Sequence, residues 1–169
     1  YLPDGRVIAI SNIGYQGVPC VNGSDAVGNM VLYDPKDKSM RRLTFDQDAN
    51  WNPVIMNNGR VMYTRWEYTD LTHYYSRIVM HMNPDGTENK ALYGSGAMFP
   101  NSTFDVQPLP GHGSAFVGII SGHHGVARSG RMIIFDPTKG RKSTAGMVQE
   151  IPHRNRPIKE EIKDQLVNG

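Results

Sequence analysis

Cysteine is almost absent from this chain, which has one, Cys20, among 169 residues. A single cysteine cannot form an internal disulfide, and neither a C-x-x-C-H haem attachment nor a zinc-ribbon spacing exists. No apolar run approaches the roughly 20 residues of a membrane-spanning helix. G-x-S-x-G, P-loop, G-x-G-x-x-G and H-E-x-x-H motifs are also missing, so no sequence motif names an enzyme class.

Charge of one sign is lacking as well, since 18 basic and 16 acidic residues leave a net charge of +2. This balance gives no electrostatic case for nucleic acid or for an anionic membrane as a partner. The 18 glycines and 11 prolines favour many turns over long helices. Because the chain begins at Tyr1 rather than Met, we expect a fragment or a processed form, such as an exported protein that has lost its signal peptide.

The stretch 42–92 has the pattern of one unit with four short strands. Its two tight turns, 57–59 and 83–86, are built from Asn, Gly, Pro and Asp, which accept the dihedral angles of turns. The apolar segments around these turns are rich in β-branched and aromatic residues. We predict strands at 54–56, 60–65, 78–82 and 90–93.

This unit has a copy on each side. Pro35, Pro84 and Pro137 mark the same turn in the three copies and recur after 49 and 53 residues. The flanking copies predict strands at 7–10, 29–33 and 41–44, and at 104–109, 115–120, 131–135 and 148–151. A period near 50 residues with four strands per unit is typical of a β-propeller blade, whereas a generic all-β sandwich would need coincidental turns.

We therefore predict an all-β fold, a partial β-propeller of about three antiparallel blades, each of the four-stranded type. The blades span about 1–44, 45–93 and 94–152, within one domain 1–152, and the first lacks its innermost strand. In the tail, 153–169, Ile158, Ile162 and Leu166 follow helical spacing and predict a short amphipathic helix or a linker to the next segment.

Three blades do not close a ring, because propellers have about four to eight. The open edges of such an arc need a partner. The partner is either the remaining blades or flanking domains of a longer parent, or a second copy of this chain in a homodimer.

The repeat resembles the TolB-like propeller repeat, in which L-T closes a blade and Asp- or Asn-rich glycine turns join the strands. Leu43-Thr44 and the turns 57–59 and 83–86 carry this resemblance. The third copy departs from it, since 110–113 reads P-G-H-G and no L-T follows.

A closer resemblance covers most of the chain. The segments G-Y-Q-G-V-P-C at 14–20, L-T-F-D-Q-D at 43–48, G-R-V-M-Y-T-R-W-E-Y at 59–68 and S-G-H-H-G at 121–125 are similar to the middle propeller domain of hydrazine synthase alpha-subunit-like bacterial proteins. The resemblance implies a propeller in a periplasmic or extracellular protein. The haems of hydrazine synthase belong to flanking domains with C-x-x-C-H motifs, which this chain lacks.

The blade register predicts where a site would lie. Tight turns fall at one end of the strands, and the long connections 12–28, 45–52, 66–76, 94–103 and 121–130 fall at the other, where binding residues concentrate. We predict a ligand or partner face there, formed by Tyr15, Cys20, Asp46, Asp48, Trp51, Arg65, Trp66, Glu67, Tyr68, His73, Tyr74, His123, His124 and Arg128.

Two groups on this face suggest a metal. His123, His124, Cys20 and His73 are candidates for a mixed nitrogen and sulfur site, although none has a diagnostic spacing. The alternation of Asp46, Asp48 and Asn50 resembles part of a calcium loop that lacks its glycine and distal glutamate. The structural alternative is favoured for both: hydrogen-bonded histidines, carboxylates that cap turns or pair with Arg65, and Trp51 between blades.

The aromatic cluster around Trp66, Tyr68, His73 and Tyr74 has two readings. Its rings, beside Arg65 and Glu67, are suited to stacking on a sugar. Alternatively they fill the gap between blades, with Glu67 paired to Arg65 or Arg77.

The function that we predict is a non-catalytic propeller scaffold or interaction module, with no activity in this fragment alone. We expect no cofactor in it, apart from the metal ion of the histidine hypothesis. One alternative is a part of a haem- or metal-dependent oxidoreductase related to the hydrazine synthase alpha subunit. A weaker alternative is a glycan-binding module.

Overall fold

The computed structural model describes residues 1–67, 77–97, 100, 102–121 and 130–153. Eleven strands and no α-helix occur in these residues. The strands are β1 Val7–Ser11, β2 Asn29–Asp34, β3 Ser39–Arg42, β4 Asn50–Ile55, β5 Val61–Trp66, β6 Arg77–Met82, β7 Lys90–Tyr93, β8 Ser102–Pro108, β9 Phe116–Ser121, β10 Arg131–Phe135 and β11 Met147–Ile151. No helix in the described part is long and apolar enough to cross a membrane.

The strands form two sheets, and neither sheet closes on itself. One has three antiparallel strands in the order β1-β2-β3. The other holds eight strands, in two antiparallel meanders that follow the chain order, β4 to β7 and β8 to β11. Among the described residues, one pair of neighbouring strand residues, Arg77 and Ser102, joins the two groups in parallel, and we call them the first and the second meander.

The predicted strands all have a counterpart, and 90–93 and 131–135 match β7 and β10 residue for residue. The other nine predictions were wrong by one or more residues at an end, and two of these differences have a clear structural reason. The strand predicted at 41–44 is β3 at Ser39–Arg42; the Leu43 amide and the Thr44 hydroxyl bond instead to the backbone of Met30, at 2.8 and 2.9 Å. The strand predicted at 54–56 is β4 at Asn50–Ile55. Its first residues were missed because a bulge at Asn52 and Pro53 interrupts the alternation of apolar and polar residues.

Tight turns close one end of every sheet. All of them except the β8–β9 turn contain an Asp or Asn whose side chain accepts a hydrogen bond from the amide two residues on, as at Asp34, Asn58 and Asp85, where the distances are 2.9, 3.1 and 3.0 Å. Such bonds hold a turn without help from the rest of the fold. The opposite ends of the strands, which border the connections β1–β2, β3–β4, β5–β6, β7–β8 and β9–β10, form what we call the long-connection end.

The first meander is buried on both of its faces. Val61 and Tyr63 of β5 lie in one apolar cluster with Met30 and Leu32 of β2. Met62, between them in sequence, lies in a second cluster, which includes Phe116 and Phe135 of the second meander. Successive side chains of a strand point to opposite faces, so the meander packs between the three-stranded sheet and the second meander.

Aromatic rings join the two meanders. The ring of Tyr93 in β7 meets that of Phe135 in β10 edge to face at 4.8 Å, and Phe135 stacks on Phe116 at 4.8 Å. The Tyr93 hydroxyl lies 2.6 Å from the carbonyl oxygens of both Ser143 and Ala145, to which it can donate its one proton. The β10–β11 connection is thereby attached to the first meander.

Replacing Phe135 with Ala should lower the free energy of unfolding by about 3–5 kcal/mol, because the fully buried ring contacts both meanders. Met132, on the opposite face of the same strand, is exposed, so Met132→Ala should change the free energy by no more than about 0.5 kcal/mol. Urea titration of both variants measures the difference. Equal losses would contradict the assigned strand faces.

A histidine at the tight-turn end, His81, accepts a hydrogen bond from an arginine. Arg60 Nε donates to His81 Nδ1 at 2.9 Å, and its two terminal nitrogens donate to Asn83 and to the Glu88 carbonyl. Burial lowers the pKa of His81, and the charges of Arg60, Arg141 and Lys90 lower it further.

The free energy of unfolding should decline as the pH falls below 6.5, the usual pKa of histidine. Above that value His81 is neutral in both states; below it the unfolded chain takes up the proton more readily than the folded chain. His81→Gln keeps an acceptor for Arg60 without the titration. Urea titrations of both proteins across this range should show a smaller decline for the variant, and parallel curves would contradict the assignment.

Candidate functional site

Four strand ends meet at the long-connection end. β4 begins at Asn50, β5 ends at Trp66, β6 begins at Arg77 and β8 begins at Ser102. The register pairs Asn50 with Arg65, Trp66 with Arg77, and Arg77 with Ser102. Side chains that are far apart in sequence therefore converge in the seam between the two meanders.

A buried arginine lies among three aromatic rings in this seam. The Arg77 guanidinium carbon is 4.7 Å from the ring centre of Trp66, 5.5 Å from that of Trp51 and 5.6 Å from that of Phe104. Trp51 and Trp66 stack at 6.0 Å with an interplanar angle of 24°. Arg77 is only 6% exposed, and the electron-rich ring faces offset part of the cost of burying its charge.

The burial of Trp66 decides between the two readings of the aromatic cluster for this residue. Its side chain is 7% exposed and packs with Val18, Val27 and Trp51. Trp66 thus fills the interior, and its ring is not open for a sugar. Trp51, half-buried, contacts Trp66 and Arg77 between the meanders, as the structural alternative predicts.

An ion-pair network lies beside these rings. Arg65 Nη2 is 2.9 Å from Asp46 Oδ1 and 3.0 Å from Glu67 Oε2. Asn50 Nδ2 donates to the other oxygen of Asp46 at 3.0 Å. The predicted pairs of Arg65 with Asp46 and of Glu67 with Arg65 are both present, so these charges hold the connections before β4 and after β5.

Asp48 stands apart from this network. Its side chain is 1% exposed, and neither carboxylate oxygen has a hydrogen-bond partner among the described residues. Burial raises the pKa of Asp48, and the nearby charges of Glu67 and Asp46 raise it further. An ionised Asp48 is therefore unfavourable in the folded chain.

Two aromatic side chains are exposed at this end. Tyr15 is 93% exposed and has a positive φ of 50°, and Phe45 is 73% exposed. The Arg42 guanidinium carbon lies 4.7 Å from the Phe45 ring centre, while Arg42 Nη2 donates to Gln16 at 2.8 Å. Tyr15 thus lies on the surface, as the predicted face requires.

Several of the predicted site residues cannot be placed. Tyr68, His73, Tyr74, His123, His124 and Arg128 lie outside the described residues. Of Cys20 the backbone alone is described, in a one-turn 3-10 helix, Pro19–Val21, between β1 and β2. Within the described ranges no three His, Cys, Asp or Glu side chains come together in a way that could hold a metal ion.

Sequence reasoning missed Asn52, Phe104 and Asp105. Asn52 Nδ2 donates to Asp105 Oδ1 at 2.8 Å, which links β4 to β8. These two residues and the aromatic residues before them, Trp51 and Phe104, line a cavity of about 240 Å³. The available signal was an aromatic residue followed by Asn or Asp at the same place in two successive repeats.

The comparisons with known proteins concern the fold. No protein-family model and no curated protein matches the chain. The crystal structure of the tricorn protease is similar over 94% of this chain, with 14% identity and a TM-score of 0.50. This chain spans 13% of that protein, which contains a propeller. At this identity the likeness shows an all-β, propeller-like arrangement and nothing about activity.

Replacing Asp48 with Asn should raise the free energy of unfolding at neutral pH. Below pH 3.8, the usual pKa, Asp48 is protonated in both states; as the pH rises, the unfolded chain ionises first, so the folded state loses stability. The neutral amide removes this loss, and the gain should shrink below pH 3.8. Urea titrations of the parent and of Asp48→Asn, at neutral pH and below pH 3.8, measure this difference in the free energy of unfolding.

Asp46→Asn is the matched control, because its carboxylate is paired with Arg65 and Asn50. This variant should be less stable than the parent at neutral pH. If Asp48→Asn were destabilising to the same extent, the Asp48 carboxylate would have a partner in the folded chain.

Proposed function

We propose that the chain is a non-catalytic interaction module made of three consecutive blades of a TolB-like β-propeller. In this proposal the blades are β1–β3, β4–β7 and β8–β11, and 153–169 leads to the next segment. The support is the repeated order of strands and turns, together with the packing of the first meander between the other two groups. The absence of catalytic motifs from the sequence supports a binding role.

The observation that carries the proposal is the uncovered edge of β1. Bonds from Leu2 N to Arg6 O and from Met56 N to Arg60 O, both at 2.8 Å, mark the same turn before β1 and before β5. β5 pairs with β4 on the side where β1 has no partner strand within the described ranges. β1 therefore corresponds to β5, the second strand of the first meander, and within the described ranges no strand pairs with β1 in the way that β4 pairs with β5.

The surroundings of this edge suit an additional strand. A groove of about 340 Å³ lies beside it, lined in part by Ile8, Val54 and Ile55. Ile10 of β1 is exposed at the same edge. A strand with unpaired backbone groups and apolar side chains is a template for pairing.

We propose that the edge pairs with a strand from the remaining blades or flanking domains of a longer parent. Pairing with a second copy of this chain is the competing possibility. The sequence resemblance to the middle propeller domain of hydrazine synthase alpha-subunit-like proteins supports the further proposal that the parent is an exported bacterial protein, periplasmic or extracellular.

Amide hydrogen exchange in β1, compared with β5 and β9, tests the edge. In the isolated chain at low concentration, the β1 amides that face away from β2 should exchange much faster than amides of β5 and β9, which have strands on both sides. They should become protected when the chain is part of its longer parent.

The other outcomes are equally decisive. Protection that rises with concentration, together with a doubled mass in light scattering, would identify a second copy as the partner. In that case Ile10→Lys should restore the monomer, whereas Val148→Lys, at an exposed position on β11, should not. Protection equal to that of β5 at every concentration would overturn the proposal.

A further inference from the structure

The first strands of the two meanders, β4 and β8, carry the same irregularity. In β4 the register moves from Trp51 opposite Thr64 to Val54 opposite Met62, so Asn52 and Pro53 share one partner residue. In β8 it moves from Phe104 opposite Ile119 to Gln107 opposite Val117, so Asp105 and Val106 do the same. Each strand thus has a β-bulge directly after an aromatic residue, and bulges re-aim side chains.

Both bulges hold a non-glycine residue in the left-handed region. Asn52 has φ 53° and Asp105 has φ 49°. Asn and Asp tolerate this conformation better than other residues, but it still costs free energy. Asn52 and Asp105 have this unfavourable conformation at equivalent places in two repeats, and both side chains are exposed. Such a repeated cost indicates that these two side chains have a function.

The two bulges together line one cavity. Trp51 and Phe104 contribute aromatic walls, and Asn52 and Asp105 contribute the polar groups of the 240 Å³ space. This volume is smaller than that of most cavities for drug-sized ligands, which start at about 300 Å³. A group of the size of one long side chain suits it better than a large cofactor.

The polar groups of this cavity are arranged to accept hydrogen bonds. Asn52 Nδ2, one of its donors, is occupied by Asp105 Oδ1 at 2.8 Å, and this bond also orients the carboxylate. Asn52 Oδ1 and Asp105 Oδ2 accept no hydrogen bond from the described part of the chain. A ligand that donates several hydrogen bonds and carries a positive charge matches these oxygens.

The aromatic walls favour the same charge. The rings of Trp51 and Phe104 already take a guanidinium from inside the protein, since Arg77 lies 5.5 and 5.6 Å from their centres. Ring faces attract ammonium and guanidinium groups, and a carboxylate beside them adds direct charge attraction. The Asp105 carboxylate therefore selects for a positive charge, the Asn52 amide oxygen accepts a hydrogen bond, and the rings tolerate a cation beside them.

We propose that Trp51, Asn52, Phe104 and Asp105 form a binding site for a compact organic cation, an alkylammonium or guanidinium group. The cation is either a free small molecule or the lysine or arginine side chain of a partner protein. The site rests on the geometry of β4 and β8 and does not depend on the edge pairing of β1.

Titration of the full chain with L-argininamide tests the site. The Asn52 side-chain amide and the Trp51 indole should show saturable changes in NMR chemical shift in the millimolar range, while equal concentrations of sodium chloride or of the neutral analogue butylurea should not cause them. No saturable change, or an equal change with butylurea, would overturn the proposal.

Asp105→Asn is the decisive variant, because asparagine keeps both the size and the tolerance of positive φ. It should weaken binding about tenfold or more, since the charge is lost while the cavity remains. The control is Asp85→Asn, in the β6–β7 turn at the other end of the strands, which should leave binding unchanged. Unchanged binding in Asp105→Asn would show that the cation binds elsewhere.

A blocked peptide with one central arginine separates the two sources of the cation. If it binds at least as tightly as L-argininamide, the site takes a side chain of a partner. If only the free molecule binds, the site is one for small amines or guanidines. If neither binds, no organic cation occupies the cavity.

Discussion

The burial of both faces of the first meander is the constraint on which the rest of this structure depends. Val61 and Tyr63 contribute to one apolar cluster, and Met62, between them, contributes to another. A four-stranded sheet that is apolar on both faces cannot be stable alone in water. It needs a sheet on each side, and the three-stranded sheet and the second meander supply them.

Because this packing fills both faces of the first meander with apolar side chains, the charged and hydrogen-bonding side chains lie mostly at the ends of the strands. At the tight-turn end, the Asx side chains satisfy neighbouring amides, so little is left for recognition. At the long-connection end, the side chains at the strand ends carry charges instead. Arg77 is buried against the rings of Trp51, Trp66 and Phe104, and Arg65 pairs with two carboxylates. These interactions stabilise the seam between the meanders, where the apolar clusters end.

Departures from the regular ladder occur at the two places where we propose binding. β1 lacks a neighbour on one side within the described ranges, although its apolar side chains and a groove suit one. The bulges at Asn52 and Asp105 interrupt two otherwise regular strands and turn polar groups toward a shared cavity. Sites at which local regularity is given up are the expected positions of function.

Turn chemistry and alternation were readable from the sequence, because both depend on neighbouring residues, and they predicted the order of the strands. The pairing of Arg65 with Asp46 was one of two alternatives for this carboxylate, beside the capping of a turn. The start of β4 was not readable, since the bulge at Asn52 hides the alternation. Nor were the burial of Trp66 or the position of Arg77 between three rings. The alternation of side chains along a strand shows which residues share a face of the sheet. Which other sheet packs on this face is decided by contacts between residues about 50 positions apart, as in the hydrogen bond from Asn52 to Asp105.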